Sequence, residues 1–189
     1  MTAPAERVTA PAERLILASA SPQRRAILAE AGVAFDVRPA DVVEAAAGEP
    51  AAVAEGNARL KAAAVPGPLV LGADTIVALD GAILGKPRDA AQARDYLGRL
   101  NGRTHEVVGG IAIAREGAVV ASAVEVTRVT FHALPDAELD AYVELGEWRG
   151  RAGAYAIQER GGELLVARVD GDYLNVVGLP LARLQELLR

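Results

Sequence analysis

Of the twenty Lys and Arg side chains in this sequence, only Lys61 and Lys86 are lysine. A lysine kept against an arginine background marks a position where a compact, flexible point charge serves and a planar fork does not. Lys86 lies in Gly85-Lys86-Pro87, twelve residues after Asp74, and Asp74 follows an apolar run, Leu69-Val-Leu-Gly-Ala73. An acid at the end of a buried strand points into the ligand crevice of an α/β sheet. A carboxylate and a small ammonium brought together indicate phosphate and metal chemistry. The plainer alternative for Asp74 is a turn residue with a local hydrogen bond, and the opposite charge at Lys86 weighs against it. Glu44, Glu55 and Asp41 are each available as a second carboxylate, and spacing does not choose among them.

A second constellation is Leu17-Ala-Ser-Ala-Ser-Pro-Gln-Arg-Arg25. Ser21 is a good N-cap and Pro22 suits the first helical position. The N–H groups and dipole of that helix start, with Ser19, Ser21 and the arginines beside them, form a seat for phosphate. The alternative is a simple cap flanked by solvated arginines. A third constellation is Ala152-Gly-Ala-Tyr-Ala-Ile-Gln158 with Gly171-Asp-Tyr-Leu-Asn-Val-Val-Gly-Leu-Pro180. Glycines at this density allow close backbone approach to a ligand, and Gln158 can read a base edge as donor and acceptor. Otherwise Tyr155 and Ile157 are strand core and the glycines are turns.

The elements that must hold these residues alternate between strand and helix. Arg14–Ser19 reads as a buried strand, Gln23–Ala31 as a helix stopped by Gly32, and Val33–Val37 as a second strand. Residues 40–50 read as a loop. Pro50–Ala64 is helical, with Val53, Leu60 and Ala64 on its apolar face. Leu69–Ala73 is a strand, and Ile76–Leu79 with Ala82–Leu84 forms a hairpin about Asp80-Gly81. Asp89 caps a helix to Leu100 whose face is Ala93, Leu97 and Leu100. Residues 104–114 and 118–130 are strands, 136–145 a helix, 164–169 a strand, and 181–188 a closing helix. The pattern predicts an α/β fold, a mixed twisted sheet flanked by helices.

Composition narrows the function classes. A 51% hydrophobic and 24% charged chain of 189 residues is a single globular domain. A net charge of -5 argues against general nucleic-acid binding. Cysteine is absent and histidine occurs only at His105 and His132, so a thiolate or multi-histidine zinc site is not expected. Any metal would be a hard cation on oxygen ligands, magnesium or manganese. No apolar run reaches membrane-span length and no secretory pattern opens the chain, so the expected compartment is the cytoplasm. Thr2-Ala-Pro-Ala-Glu-Arg7 recurs as Thr9-Ala-Pro-Ala-Glu-Arg14, so residues 1–13 are expected to form a disordered extension before a domain over 14–189.

Six segments occur in one order: Ser19-Ala-Ser-Pro-Gln-Arg24, Gly72-Ala-Asp-Thr75, Leu84-Gly-Lys-Pro87, Leu100-Asn-Gly-Arg-Thr-His105, Gly153-Ala-Tyr-Ala-Ile-Gln158 and Asn175-Val-Val-Gly-Leu-Pro180. Together, over residues 14–188, they resemble the Maf family of nucleoside triphosphate pyrophosphatases. The resemblance implies an elongated fold related to the inosine triphosphate pyrophosphatases, usually a homodimer. It implies cleavage between the α and β phosphates with a divalent cation, magnesium or manganese. Asp74 then matches the catalytic carboxylate and a metal ligand. Lys86 and Lys61 match phosphate-handling lysines, Glu44 the second acid and metal ligand, and Ser19 and Arg24 the phosphate segment. Thr75 and Gln158 match positions that go with dTTP and UTP in one branch. One departure stands out: Gln23 replaces an arginine associated with that specificity, and Arg25, two positions on, points elsewhere on a helix. A 7-methyl-GTP preference therefore stays open. So do a nucleotidyltransferase, though it usually needs a glycine-rich loop, and a non-hydrolysing nucleotide-binding regulator of cell division. His105 reads as a strand-edge hydrogen-bonding residue rather than a base, and Trp148 as an exposed-loop or interface residue.

Overall fold

The structure, a computed structural model, describes residues 13–189. The expected extension therefore lies outside the described residues except for Glu13, which pairs with Arg115 at 2.6 Å. Strands β1 (Leu15–Leu17), β2 (Phe35–Val37) and β3 (Val70–Leu79) run parallel, with helices α1 (Pro22–Glu30) and α2 (Pro50–Ala64) as their crossovers. β4 (Ala82–Leu84), β5 (Thr104–Arg115), β6 (Ala118–Phe131) and β7 (Val166–Asp170) add antiparallel pairings. The result is a mixed seven-stranded sheet in the order β2-β1-β3-β5-β6-β7, with β4 paired to β3. Helices α3 (Ala90–Leu100), α4 (Asp136–Leu145), α5 (Gly162–Leu165), α6 (Tyr173–Val177) and α7 (Leu181–Leu187), with a 3-10 turn at Ala152–Ala154, complete the described elements. None of these helices is long and apolar enough to cross a membrane.

The central strands β1, β3 and β5 are buried on both faces, as their near-continuous apolar runs require. On one face Leu15, Leu17, Leu71 and Ile111 pack with Ile27 and Leu28 of α1 and Leu184 of α7. Towards the β4 end, Val77, Leu84 and Val129 pack with Leu97 of α3 and Leu139 of α4. The opposite face belongs to α2. There Ala58 and Ala62 meet Ile16, Val70 and Ala112, and Ala54 meets Ile76 and Val108.

The seat of α2 is unusually close. A Cβ at Gly72 of β3 would stand 2.0 Å from the Ala58 carbonyl oxygen, and one at Gly110 of β5 would stand 2.2 Å from that of Ala54. Glycine in the strands and alanine in the helix let the two backbones touch. The buried stripe of α2 is therefore Ala54-Ala58-Ala62, flanked by Asn57 and Lys61. Of the expected Val53-Leu60-Ala64 face, Val53 is buried with Ala54, whereas Leu60 is 44% exposed and Ala64 also faces out, because large side chains at the close contact would hold the helix off the sheet.

A second correction concerns Asp74. It does not end a strand: β3 runs unbroken from Val70 to Leu79, and Asp74 sits mid-strand opposite Gly110. What ends is the neighbour. On one edge of β3, β1 pairs only with Val70 and Leu71, and β4 only with Val77–Leu79. Residues 72–76 between them have no strand partner on that edge, so a mid-strand carboxylate opens into a gap. Tyr155 and Ile157, read as strand core, are buried in a segment without strand structure. The glycine-rich segment from 171 contains α6 rather than turns alone.

The close seat of α2 has a measurable consequence. Gly72→Ala is expected to lower unfolding free energy by about 3 kcal/mol through overpacking. Gly56→Ala, on the exposed side of the same helix with open space around it, is expected to raise it by about 0.5–1 kcal/mol. Urea denaturation of the two variants reads both signs.

Candidate active site

Asp74 and its gap form the floor of a cleft of about 820 Å³, walled by the start of α1, the loop before α2, the turn after β4, and the segments at 149–158 and 176–178. Ten of the residues singled out for chemistry line it: Ser19, Ser21, Gln23, Arg24, Glu44, Lys61, Asp74, Thr75, Lys86 and Gln158. Arg25 does not, being exposed on the outer side of α1.

At the centre, the Lys61 ammonium lies 2.8 Å from Asp74 Oδ1 and 2.7 Å from Glu44 Oε2. Lys61 and Asp74 are buried, whereas the Glu44 side chain is 46% exposed. Asn57 Nδ2 donates to the second Asp74 oxygen at 2.9 Å. Burial alone would raise the Asp74 carboxyl. Lys61, by charge and hydrogen bond, then the Asn57 amide and the Arg24 charge, outweigh it and hold the group below the usual carboxylate value. Asp74 is therefore a carboxylate throughout the neutral range.

Among the three acids open as second carboxylate, the fold brings only Glu44 to Lys61. Glu55 instead accepts from Ser122 at 2.6 Å, and Asp41 is exposed outside the cleft. No group of three or more acids and histidines gathers among the described residues. Two convergent carboxylates do not make a complete protein cage. They do match a hard cation whose shell is finished by substrate phosphates and water.

Arg24 forms the opposite wall. It is buried; desolvation pulls it below the ordinary arginine value, opposed by Asp74 and Glu44, and it stays charged. Its Nε donates to the Gly178 carbonyl at 2.9 Å and its two terminal nitrogens to Ser19 Oγ at 2.9 Å and Thr75 Oγ1 at 3.1 Å. A guanidinium has more N–H groups than these three bonds use, so the fork is fixed in place with donors left for a ligand. Ser21 accepts from the Arg24 amide at 3.4 Å and donates to Gln23 at 3.1 Å. Asn175, buried on β5 and β6, donates to the Val107 carbonyl and Thr127 hydroxyl, and thereby anchors α6 and the Gly178 carbonyl that holds Arg24. Lys86 is different: it is exposed at the rim and has no carboxylate within ion-pair distance among the described residues. Gln158 is likewise exposed in the cleft.

One expectation is corrected here and another refined. Trp148 is buried, 6% exposed, with Nε1 donating to the Val143 carbonyl at 2.9 Å. It pins the 146–150 turn from inside, and the Arg149 guanidinium lies over its ring. His105, the second residue of β5, has a strand partner on β6 alone and hydrogen-bonds as expected, but it is buried: it is bonded to the Tyr155 hydroxyl at 2.9 Å and edge-on to Phe131 and Tyr155. Burial pushes its pKa down to about 4, so it is neutral at pH 7 and stands behind the cleft wall.

Sequence reasoning missed Asn57 and the cleft-lining pair Arg149 and Arg151. A signal for Asn57 existed: it stands four residues before Lys61, on the same helix face, in an alanine-rich helix where asparagine is a poor former.

A family model described as "Maf-like protein" matches residues 14–189. The chain belongs to the Maf family. Among curated Maf relatives, a dTTP/UTP pyrophosphatase of Anaeromyxobacter dehalogenans is 51% identical over 183 residues, spanning 94% of each chain. One of Symbiobacterium thermophilum is 48% identical, spanning 93% of each, and one of Myxococcus xanthus 51%, spanning 92% of this chain and 90% of its own. A solved nucleoside-triphosphatase / dITP/XTP pyrophosphatase of Mycobacterium abscessus covers 90% of this chain and 91% of its own with a TM-score of 0.48 at 15% identity. At that distance it bears on neither substrate nor mechanism.

The buried histidine sets a pH signature for this Maf protein. Its folded value of about 4 lies below the ordinary 6.5, so the unfolded chain takes up the proton first. Stability from this group is complete above pH 6.5 and is lost as pH falls towards 4, a decline of about 3 kcal/mol. Asp74, also depressed, loses its contribution only in the more acid carboxylate range, so the windows separate. Thermal unfolding between pH 7 and 4.5 should show a steeper decline for the wild type than for His105→Gln.

Proposed function

We propose that this Maf protein hydrolyses nucleoside triphosphates between the α and β phosphates, releasing a nucleoside monophosphate and pyrophosphate. The observation that carries the reading is one cleft in which an ionised acid, Asp74, is held between Lys61, Asn57 and Arg24 with Glu44 and Lys86 facing the same space. The names of the Maf relatives support a triphosphate substrate and favour dTTP or UTP.

In this reading the triphosphate lies between Arg24 and the two lysines. Arg24, immobilised by three hydrogen bonds, presents its remaining N–H groups to phosphate oxygens without reorganising. Lys61 and Lys86 offset charge that shifts onto the bridging and leaving oxygens. Lys86, exposed and without an ion-pair partner among the described residues, is free to close onto a single oxygen as a point charge. Asp74 accepts the proton of the attacking water as general base. Glu44 and Asp74 would hold magnesium or manganese together with the substrate phosphates, and such an ion supplies charge neutralisation and a more acidic water. Thr75 and Gln158 line the wall proposed to face the nucleobase. Gln23 lines the same cleft and puts a neutral amide where, by the family resemblance, the pyrimidine branch carries an arginine; turnover across dTTP, UTP and 7-methyl-GTP reads the base preference.

Asp74→Asn should cut turnover at least about hundredfold while leaving far-UV circular dichroism unchanged; near-normal turnover would remove Asp74 from its assigned role. Lys86→Arg should lose about tenfold in kcat despite unchanged charge, and full activity would refute the point-charge argument. Product analysis by phosphorus NMR, with no acceptor present, must show pyrophosphate and monophosphate. Transfer to an acceptor, or binding without turnover, would replace this reading with a nucleotidyltransferase or a regulator.

A further inference from the structure

Asn57 is buried on α2, 4% exposed, one turn before Lys61. Its amide works in two directions at once. Oδ1 accepts the backbone N–H of Ala45 at 2.8 Å, and Nδ2 donates to the Ala45 carbonyl at 3.0 Å. The other Nδ2 hydrogen goes to Asp74 Oδ2 at 2.9 Å. One side chain thus satisfies both backbone groups of the residue next to Glu44, and the acid of the neighbouring strand. Both donors and the acceptor of the amide are used.

The segment that carries Glu44 has little else to hold it. Residues 38–46 form no helix or strand and are mostly exposed. Arg38 donates to Leu17, but no backbone–backbone hydrogen bond outside regular elements fixes residues 39–48. Beyond Arg38, whose side chain also donates to the Pro66 carbonyl at 3.2 Å, two points fasten this segment by hydrogen bonds: Glu44 to Lys61, and Ala45 to Asn57. Lys61 and Asn57 project from the same face of the helix that Gly72 and Gly110 let sink onto the sheet.

We infer that Asn57 is a positioning residue: it staples the Glu44 segment to the Asp74 carboxylate, so that two acids from separate parts of the chain face one point of the cleft. The consequence for turnover rests on the pyrophosphatase reading above. No near neighbour of asparagine does the same job. Leucine has its shape without its polar atoms, and aspartate keeps an acceptor for the Ala45 N–H but loses both donors and sets a second negative charge against Asp74.

Full-length protein carrying Asn57→Leu, Asn57→Asp, Glu44→Gln, and Asn57→Leu with Glu44→Gln tests this by steady-state kinetics on dTTP and by NMR amide exchange without nucleotide. Asn57→Leu should lose protection at the Ala45 amide while β3 and β5 amides stay protected. Asn57→Asp should keep Ala45 protection, because the acceptor remains. Both should lose about tenfold or more in kcat with KM within about threefold of wild type, a split that loosened global packing would not give. The loss in the double variant should be smaller than the product of the single losses, since Asn57 acts partly through Glu44. The inference is overturned by an unaltered Ala45 amide in Asn57→Leu, by unchanged kcat in that variant, or by single losses that simply multiply. A wild-type protein without turnover would remove the pyrophosphatase reading alone, leaving the staple to be judged by exchange.

Discussion

Everything at the cleft depends on backbone contact between α2 and the sheet. Two strand glycines, Gly72 and Gly110, and an alanine stripe at 54, 58 and 62 let the helix sit where any strand Cβ would collide. Only at that depth does Lys61 reach Asp74, and only there does Asn57 bridge Asp74 and Ala45. A helix at ordinary packing distance would leave a buried aspartate without its cation, and an uncompensated buried charge is among the costliest features a fold can carry. Packing geometry and charge compensation are one constraint here, met by small residues on both sides of the contact.

The second condition is a missing strand neighbour. β1 is short and β4 begins late, so the middle of β3 has one bare edge between them. Side chains on both faces become accessible through that opening. Asp74 points to the α2 side and bonds to Lys61, while the adjacent Thr75 points to the other side and bonds to Arg24. Alternation along a strand normally separates such neighbours into two environments. The gap reunites them in one cleft, with cations from both faces converging on the same space.

Much of the architecture was legible in local pattern. Ser21-Pro22 and Asp89 marked helix starts that the structure places there, and Pro50–Ala64 and Asp136–Leu145 agree end to end. The failures share a cause. Asp74 looked like a strand terminus because an acid inside a buried strand has no local justification; its justification is Lys61, which lies on another element. Leu60 looked like core because apolar periodicity ranks leucine above alanine, whereas this interface selects for smallness. Trp148 looked exposed because its flanks, Gly146-Glu and Arg-Gly150, are those of a surface turn, and the turn folds its indole inward onto the α4 end.

The sequence by itself determined the residue types that chemistry requires: two lysines against an arginine background, an acid after an apolar run, a capped helix start bearing an arginine, and six segments in family order. Side-chain chemistry and local propensity are properties of the chain and can be read from it directly. The tertiary structure alone decided that Glu44 and Asp74 meet at one lysine, that Asn57 joins the two acidic segments, and that His105 is a buried neutral partner of Tyr155. Those outcomes depend on distances between elements far apart in sequence, and distance across a fold is set by how closely a helix and a sheet can approach.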